Sequence, residues 1–155
     1  MLKILSLKFW FIFALVFILD QISKFIFLQG FVYKGEFFDL VLTYNTGVAF
    51  SMFAFLGEYL KYIQLVFIVG LFGYLLYQKE FFKTHLIAFA LMLGAGCSNL
   101  LDRFVHIGVV DFVFWHKWFE FAVFNFADVM INISVALILI KEIFNKKEKN
   151  DRIYK

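Results

Sequence analysis

Two aspartates stand in apolar surroundings. Asp111 interrupts the run Val109-Val110-Asp111-Phe112-Val113-Phe114, and Asp128 closes the run Phe124-Asn125-Phe126-Ala127-Asp128. Solvation alone poorly explains an acid flanked on both sides by large apolar side chains, because burial opposes the charged form of a carboxyl group. Two carboxyls sharing one site cannot both ionise easily. One keeps a proton while the other can take one from water, a division of labour that hydrolyses peptide bonds without a metal or a covalent nucleophile. Two separate surface acids are the plainer alternative, and spacing does not decide between them. Further polar residues fall at helical spacings. Asp20 and Lys24 are four apart in the favourable acid-first order, as in a structural ion pair. Asn99, Asp102 and Arg103 share one helix face. Asn125 and Asp128 are three apart, with Asn132 one turn further. Asn and Arg side chains beside such acids would orient them or stabilise a developing oxyanion.

Other chemistries have little to stand on. The chain has no HExxH, no GxSxG and no phosphate-binding glycine loop. His85, His106 and His116 lack metal-site spacing and read as surface or interfacial residues. The single cysteine, Cys97, excludes an intramolecular disulfide and has no activating cation near it in sequence. Ser23 and Ser51 have no convincing base partner. No metal, cofactor or nucleic-acid partner is expected.

The elements that would carry these residues follow from composition. Of 155 residues, 63% are hydrophobic and 17% charged, and the mean hydropathy is +0.84. A soluble domain is about 45–50% apolar and about 25% charged, so the bilayer is the expected solvent. One span takes about 20 mostly apolar residues, which leaves room for four. They are expected at residues 8–28, 59–77, 85–103 and 124–144, as helices, because open strand edges cannot sit in hydrocarbon. The first resembles a signal peptide, but Asp20, Gln21, Ser23 and Lys24 follow it where a cleavage site would stand, so it is read as retained. Gly70 with Gly73, and Gly94 with Ser98, are small residues expected at helix contacts.

Lys3, Lys8, Lys79, Lys83, Lys141, Lys146, Lys147, Lys149, Arg152 and Lys155 are ten of the fifteen basic residues, and all fall in the tails, at the span ends that adjoin them, or in the loop after span two. The positive-inside tendency therefore puts both termini in the cytoplasm, with 145–155 as a basic tail. Segments 29–58 and 104–123 then face outward. Residues 37–44 are strand-prone and end at the turn signal Asn45-Thr46-Gly47, so a small outer sheet is expected. Spans one and three end outward, span four begins outward, and Asp111 lies between three and four. The polar groups can thus meet at one depth near the outer leaflet.

The chain resembles the lipoprotein signal peptidase (signal peptidase II) family over nearly its whole length. Five pieces carry the resemblance in order: Asp20-Gln21-Ile22-Ser23-Lys24, Asn45-Thr46-Gly47-Val48-Ala49-Phe50, Gly94 through Asn99 to Asp102-Arg103, Val110-Asp111-Phe112, and Phe124-Asn125-Phe126-Ala127-Asp128. Ser98 and Ala95 replace glycines of the family pattern, and Ala122-Val123 replaces a Pro-Ala pair. The resemblance implies a single membrane-embedded domain: an all-α polytopic protein of four transmembrane helices with a small periplasmic β-sheet and a short helix. It implies an aspartyl endopeptidase of the bacterial inner membrane, acting as a monomer among membrane lipids. Its substrates would be diacylglyceryl-modified prolipoproteins, cut just before the lipidated cysteine. Asp111 and Asp128 would be the catalytic dyad. Asn99, Arg103 and Asn125 would orient the dyad and bind substrate backbone, while Asp20, Lys24, Asn45 and Gly47 would shape the pocket. The rival from another class is an ion- or proton-coupled carrier, which should place its acids at mid-membrane within repeated halves. No repeat is visible here, and the acids are one-sided. A non-enzymatic assembly protein would not need two outer acids in apolar settings.

Overall fold

The computed structural model describes residues 6–47 and 52–153, with side chains through 147. Five helices and three strands follow one another: α1 (Leu7–Leu28), β1 (Tyr33–Lys34), β2 (Phe38–Asn45), a 3-10 turn (Ala54–Leu56), α2 (Tyr59–Tyr77), α3 (Lys79–Thr84), α4 (Leu86–Val105), β3 (Val109–Trp115) and α5 (Phe126–Ile153). Three of these helices, α1, α2 and α4, are long and apolar enough to cross a membrane. The fourth expected span coincides with the first part of α5. Every 18-residue stretch of that helix includes Lys141 and Glu142 together with Asp128 or Lys146, so its length alone does not make it a span by the same measure. Helix α5 continues through the expected basic tail to Ile153.

The central helix is α4, which packs against α1, α2 and α5. Its small residues make this possible. Ala88, Ala90, Ala95 and Ser98 are buried along it, and a Cβ on Gly94 would lie 2.6 Å from the backbone oxygen of Phe13 in α1. Helices come together in lipid mainly by such close packing. Gly70 and Gly73 behave otherwise: a Cβ on either would meet nothing within 4 Å, so this pair does not make a helix contact. At one end of the bundle Phe9, Leu75, Phe82, Phe89, Ala90 and Leu93 form an apolar core. Nearer its middle Val16, Ala95 and Ala127 join α1, α4 and α5. Outward faces carry large apolar side chains such as Phe11, Ile18, Ile22, Val66 and Phe67, as expected of helices solvated by hydrocarbon.

The other end carries a three-stranded antiparallel sheet in the order β1-β2-β3. Strand β2 begins and ends within one residue of the strand-prone stretch at 37–44. Thr43 pairs with Asp111, and the register shifts between Leu40 and Thr43. A Cβ on Gly108 would lie 2.6 Å from the Asn45 carbonyl oxygen, so glycine is what admits β2 beside the start of β3. On its other side β3 pairs with a single residue, Phe124, through an isolated bridge at Val113. The amides of Phe112 and Val113 donate to the Phe124 carbonyl, and the Phe124 amide donates to Val113. The sheet is anchored on the bundle where Phe27 of α1 stacks on Phe112, their ring centroids 4.1 Å apart.

Candidate active site

The bridge at Phe124 brings Asp111 and Asp128 together. It fixes the residue just before Asn125, and Asn125 caps α5. The Asn125 Oδ1 accepts from the Asp128 amide at 2.9 Å, and Asp128 Oδ2 accepts from the Asn125 amide at 3.2 Å. This is a reciprocal capping box with Asn and Asp in the two roles. The free Nδ2 of Asn125 donates to Asp111 Oδ1 at 2.7 Å, to Asn99 Oδ1 at 3.0 Å and to the Val110 carbonyl at 3.3 Å. One buried amide therefore ties the strand-borne acid to the helix-borne acid.

Asp111 is 1% exposed. Burial, and then the charge of Asp128 nearby, push its carboxyl up to about 7, against an ordinary value of 3.8. Hydrogen bonds from Asn45 and Asn125 and the charge of Lys24 pull the other way and do not cancel that rise. The two carboxyls are thus close enough for the charge on one to oppose the charge on the other, and Asp111 keeps its proton up to about pH 7.

Behind the acids is a network spanning three helices. Asn99 of α4 donates from Nδ2 to Asp128 Oδ1 at 3.0 Å, and its Oδ1 accepts from Lys24 at 2.7 Å. The ammonium of Lys24, 1% exposed, also meets Asp20 at 2.6 Å and Asp102 at 2.7 Å. Asp20 accepts from the Ala127 amide at 2.8 Å and from the Ser98 hydroxyl at 2.7 Å. Asp102 accepts from the Val110 amide at 3.0 Å and from the Gln21 amide nitrogen at 2.8 Å. A buried charge is tolerable only when paired and hydrogen-bonded, and each member of this cluster is. Asp20 and Asp102 thereby hold the chain just before Asp111 and the first turn of α5.

Arg103 donates to the Gly47 carbonyl, and the Gly47 amide donates to Asn45 Oδ1 at 3.0 Å. The Arg103 guanidinium is near enough to interact with Asp111 and Asp128, while its buried Nε has no hydrogen-bond partner among the described residues. Asp20, Lys24, Asn45, Gly47, Asn99, Arg103, Asp111, Asn125 and Asp128 thus belong to one connected region. Asn132 does not, since it is exposed and donates to the Asp128 carbonyl of its own helix. Val48, Ala49, Phe50 and Ser51 lie outside the described residues. Asp102, Gln21 and Ser98 have parts in the network that sequence reasoning did not assign. Spacing does put Asp102 on one face with Asn99 and Arg103 but assigns it no partner; the bonds from Gln21 and Ser98 needed the rotation of α1 against α4. His85, read as a surface or interfacial residue, is instead 3% exposed at the far end of the bundle. Among the described residues no three His, Cys, Asp or Glu side chains gather as a metal site.

The comparisons with known proteins bear on the same region. A family model described as signal peptidase (SPase) II matches residues 12–144. A lipoprotein signal peptidase of Campylobacter jejuni is 63% identical over 145 residues, covering 94% of this chain and 93% of its own. One from Helicobacter pylori is 51% identical over 139 residues, 90% of this chain and 88% of its own. The fold is similar to a bacterial membrane enzyme solved in meso, with TM-score 0.76 and 23% identity over 92% of this chain and 91% of that one.

Proposed function

Because this chain belongs to the signal peptidase II family and is an aspartic endopeptidase, we propose that it removes signal peptides from diacylglyceryl-modified prolipoproteins by water attack at an Asp111–Asp128 dyad. The observation that carries the dyad is Asn125, whose side chain binds Asp111 and caps the helix holding Asp128. With Asp111 protonated and Asp128 ionised, Asp128 takes a proton from water while Asp111 donates to the scissile carbonyl oxygen, giving a tetrahedral intermediate. Asp128 then returns its proton to the leaving amine and Asp111 recovers its own. Asn99 and the Asn125 amide hold the Asp128 carboxylate in one orientation. Arg103 would meet substrate backbone through its Nε, which has no hydrogen-bond partner among the described residues. Asp20 and Lys24 act through Asn99 and Ala127, and Asn45 and Gly47 set the rim through Arg103 and Asp111.

The same reading orients the molecule in the bacterial inner membrane. The first part of α5 is the fourth span, both termini are cytoplasmic, and segments 29–58 and 104–123 are periplasmic, with the sheet and the short 3-10 turn on that side. A cysteine carrying diacylglycerol keeps its acyl chains in the outer leaflet, so an acid pair at the sheet end would meet the bond just before it. The enzyme works as a monomer on prolipoproteins and contacts lipid with its apolar faces. Asp111→Asn or Asp128→Asn is expected to abolish cleavage of a diacylglyceryl prolipoprotein by the purified enzyme while its melting behaviour in detergent remains cooperative. Cleavage retained by both variants, or lost from the unaltered enzyme on adding a chelator, would sink the dyad mechanism.

A further inference from the structure

At the end of the bundle opposite the acids, α1, α3, α4 and α5 line an open cavity of about 720 Å³. Three elements each bring a lysine to it: Lys8 from α1, Lys83 from α3 and Lys141 from α5. His85 also lines it. Its side chain is 1% exposed, Nδ1 lies 3.1 Å from the Phe81 carbonyl, and buried Nε2 has no hydrogen-bond partner among the described residues. Glu142 Oε1 is 3.2 Å from that nitrogen but does not make a hydrogen bond with it. That carboxylate is the ion-pair partner of a protonated His85, so the groups left to meet a ligand anion in this wall are the three lysines.

The remaining wall is apolar. Leu137, Ile140 and Phe144 of α5 line it, with Ile140 53% and Phe144 65% exposed on the outer face of the bundle. The cavity therefore joins cationic groups to a surface solvated by hydrocarbon. Its depth agrees along each long helix. Lys8 is twelve residues from Asp20, His85 fourteen from Asn99 and Lys141 thirteen from Asp128, each about 20 Å at 1.5 Å per residue. That separation is more than half the roughly 30 Å hydrocarbon core, so the cavity and the acids belong to opposite leaflets.

We propose that this cavity binds an anionic phospholipid, its phosphate among Lys8, Lys83 and Lys141 and its acyl chains along Ile140 and Phe144. Basic pockets between helices at a membrane face suit such headgroups. The lysines have room to act: Lys83 meets Glu80 at 2.8 Å in an exposed pair, and Lys141 donates one hydrogen to the Thr84 carbonyl at 2.6 Å and keeps the others. Nothing in this site depends on the dyad or on the substrate.

The test is native mass spectrometry of the full chain released from micelles containing phosphatidylglycerol or phosphatidylcholine. One phosphatidylglycerol per chain should be retained in preference to phosphatidylcholine, and inorganic phosphate at equal concentration should not displace it. The double variant K8Q/K83Q, altered at exposed positions, should bind it less tightly, by about fivefold for each lysine removed. An unchanged melting temperature in zwitterionic detergent marks that variant as folded. Equal retention of the two lipids, wild-type retention by K8Q/K83Q, or displacement by inorganic phosphate would each overturn the lipid site, and none of these readouts involves peptide cleavage.

Discussion

Lys24 directs its ammonium group at three buried acceptors, Asp20, Asp102 and Asn99, and through Asn99 that charge reaches the hydrogen bond on Asp128. Asp111 makes no such ion pair among the described residues, and its carboxyl is held up to about 7 by burial and by Asp128. Two consequences follow for pH. Cleavage by a dyad that needs one proton should fall as pH rises through about 7, where Asp111 ionises. Stability has the same sign: the folded chain keeps the Asp111 proton while the unfolded chain releases it near 3.8. The contribution is therefore fully present below 3.8 and is lost as pH rises to about 7. Asp111→Asn should remove this dependence. Between pH 5 and pH 8 the unaltered protein should lose about 2–3 kcal/mol more than the variant, read from unfolding in detergent at both pH values. Parallel pH profiles for the two proteins would contradict a raised Asp111.

At the scale of elements, two close backbone approaches and one bridge set the geometry. The contact of α1 with α4 turns on Gly94, which faces the Phe13 carbonyl and lies five residues before Asn99. Gly94→Ala should push these backbones apart, destabilise the bundle by about 1–3 kcal/mol and slow cleavage as the Lys24–Asn99 bond loosens. Gly73→Ala, where a Cβ meets open space, should leave both unchanged. Melting temperature and turnover for the pair provide the check, and equal behaviour would remove the packing role from Gly94. The same comparison marks how far the sequence could be read. Asp20 and Lys24 at i and i+4 were legible as a pair because their spacing lies within one helix. Asp111 was conspicuous because its neighbours are apolar. The Gln21 and Ser98 bonds join residues 77 or more positions apart, and they depend on the rotation of one helix against another. Apolar faces solvated by lipid do not encode that rotation, and the same lack of contrast made Gly70 and Gly73 look like Gly94. The Phe124 bridge was hidden for another reason: a single-residue pairing leaves no alternating pattern.

For the whole molecule, which side of the membrane each end faces turns on α5. Between Asp128 and Lys141 its uncharged stretch is twelve residues, about 18 Å at 1.5 Å per residue, well short of a 30 Å core. Two features supply the difference. The Asp128 carboxylate is hydrogen-bonded to Asn99 and Asn125 within the bundle, so Phe126 and Ala127 extend the buried length. Lys141 can carry its stem through the boundary and hold its ammonium at the Thr84 carbonyl. If α5 crosses as proposed, the C-terminal basic run shares a side with Lys79 and Lys83, and Lys117 with Glu36 lies on the other. With Cys97 replaced by alanine, single cysteines at Lys117 and at Lys146 should therefore label oppositely in intact cells. A thiol reagent that cannot cross the inner membrane should modify the first from the periplasm and reach the second only after lysis. Labelling of both from outside would mean that α5 does not span, and would put the basic tail and the sheet on the same face of the membrane.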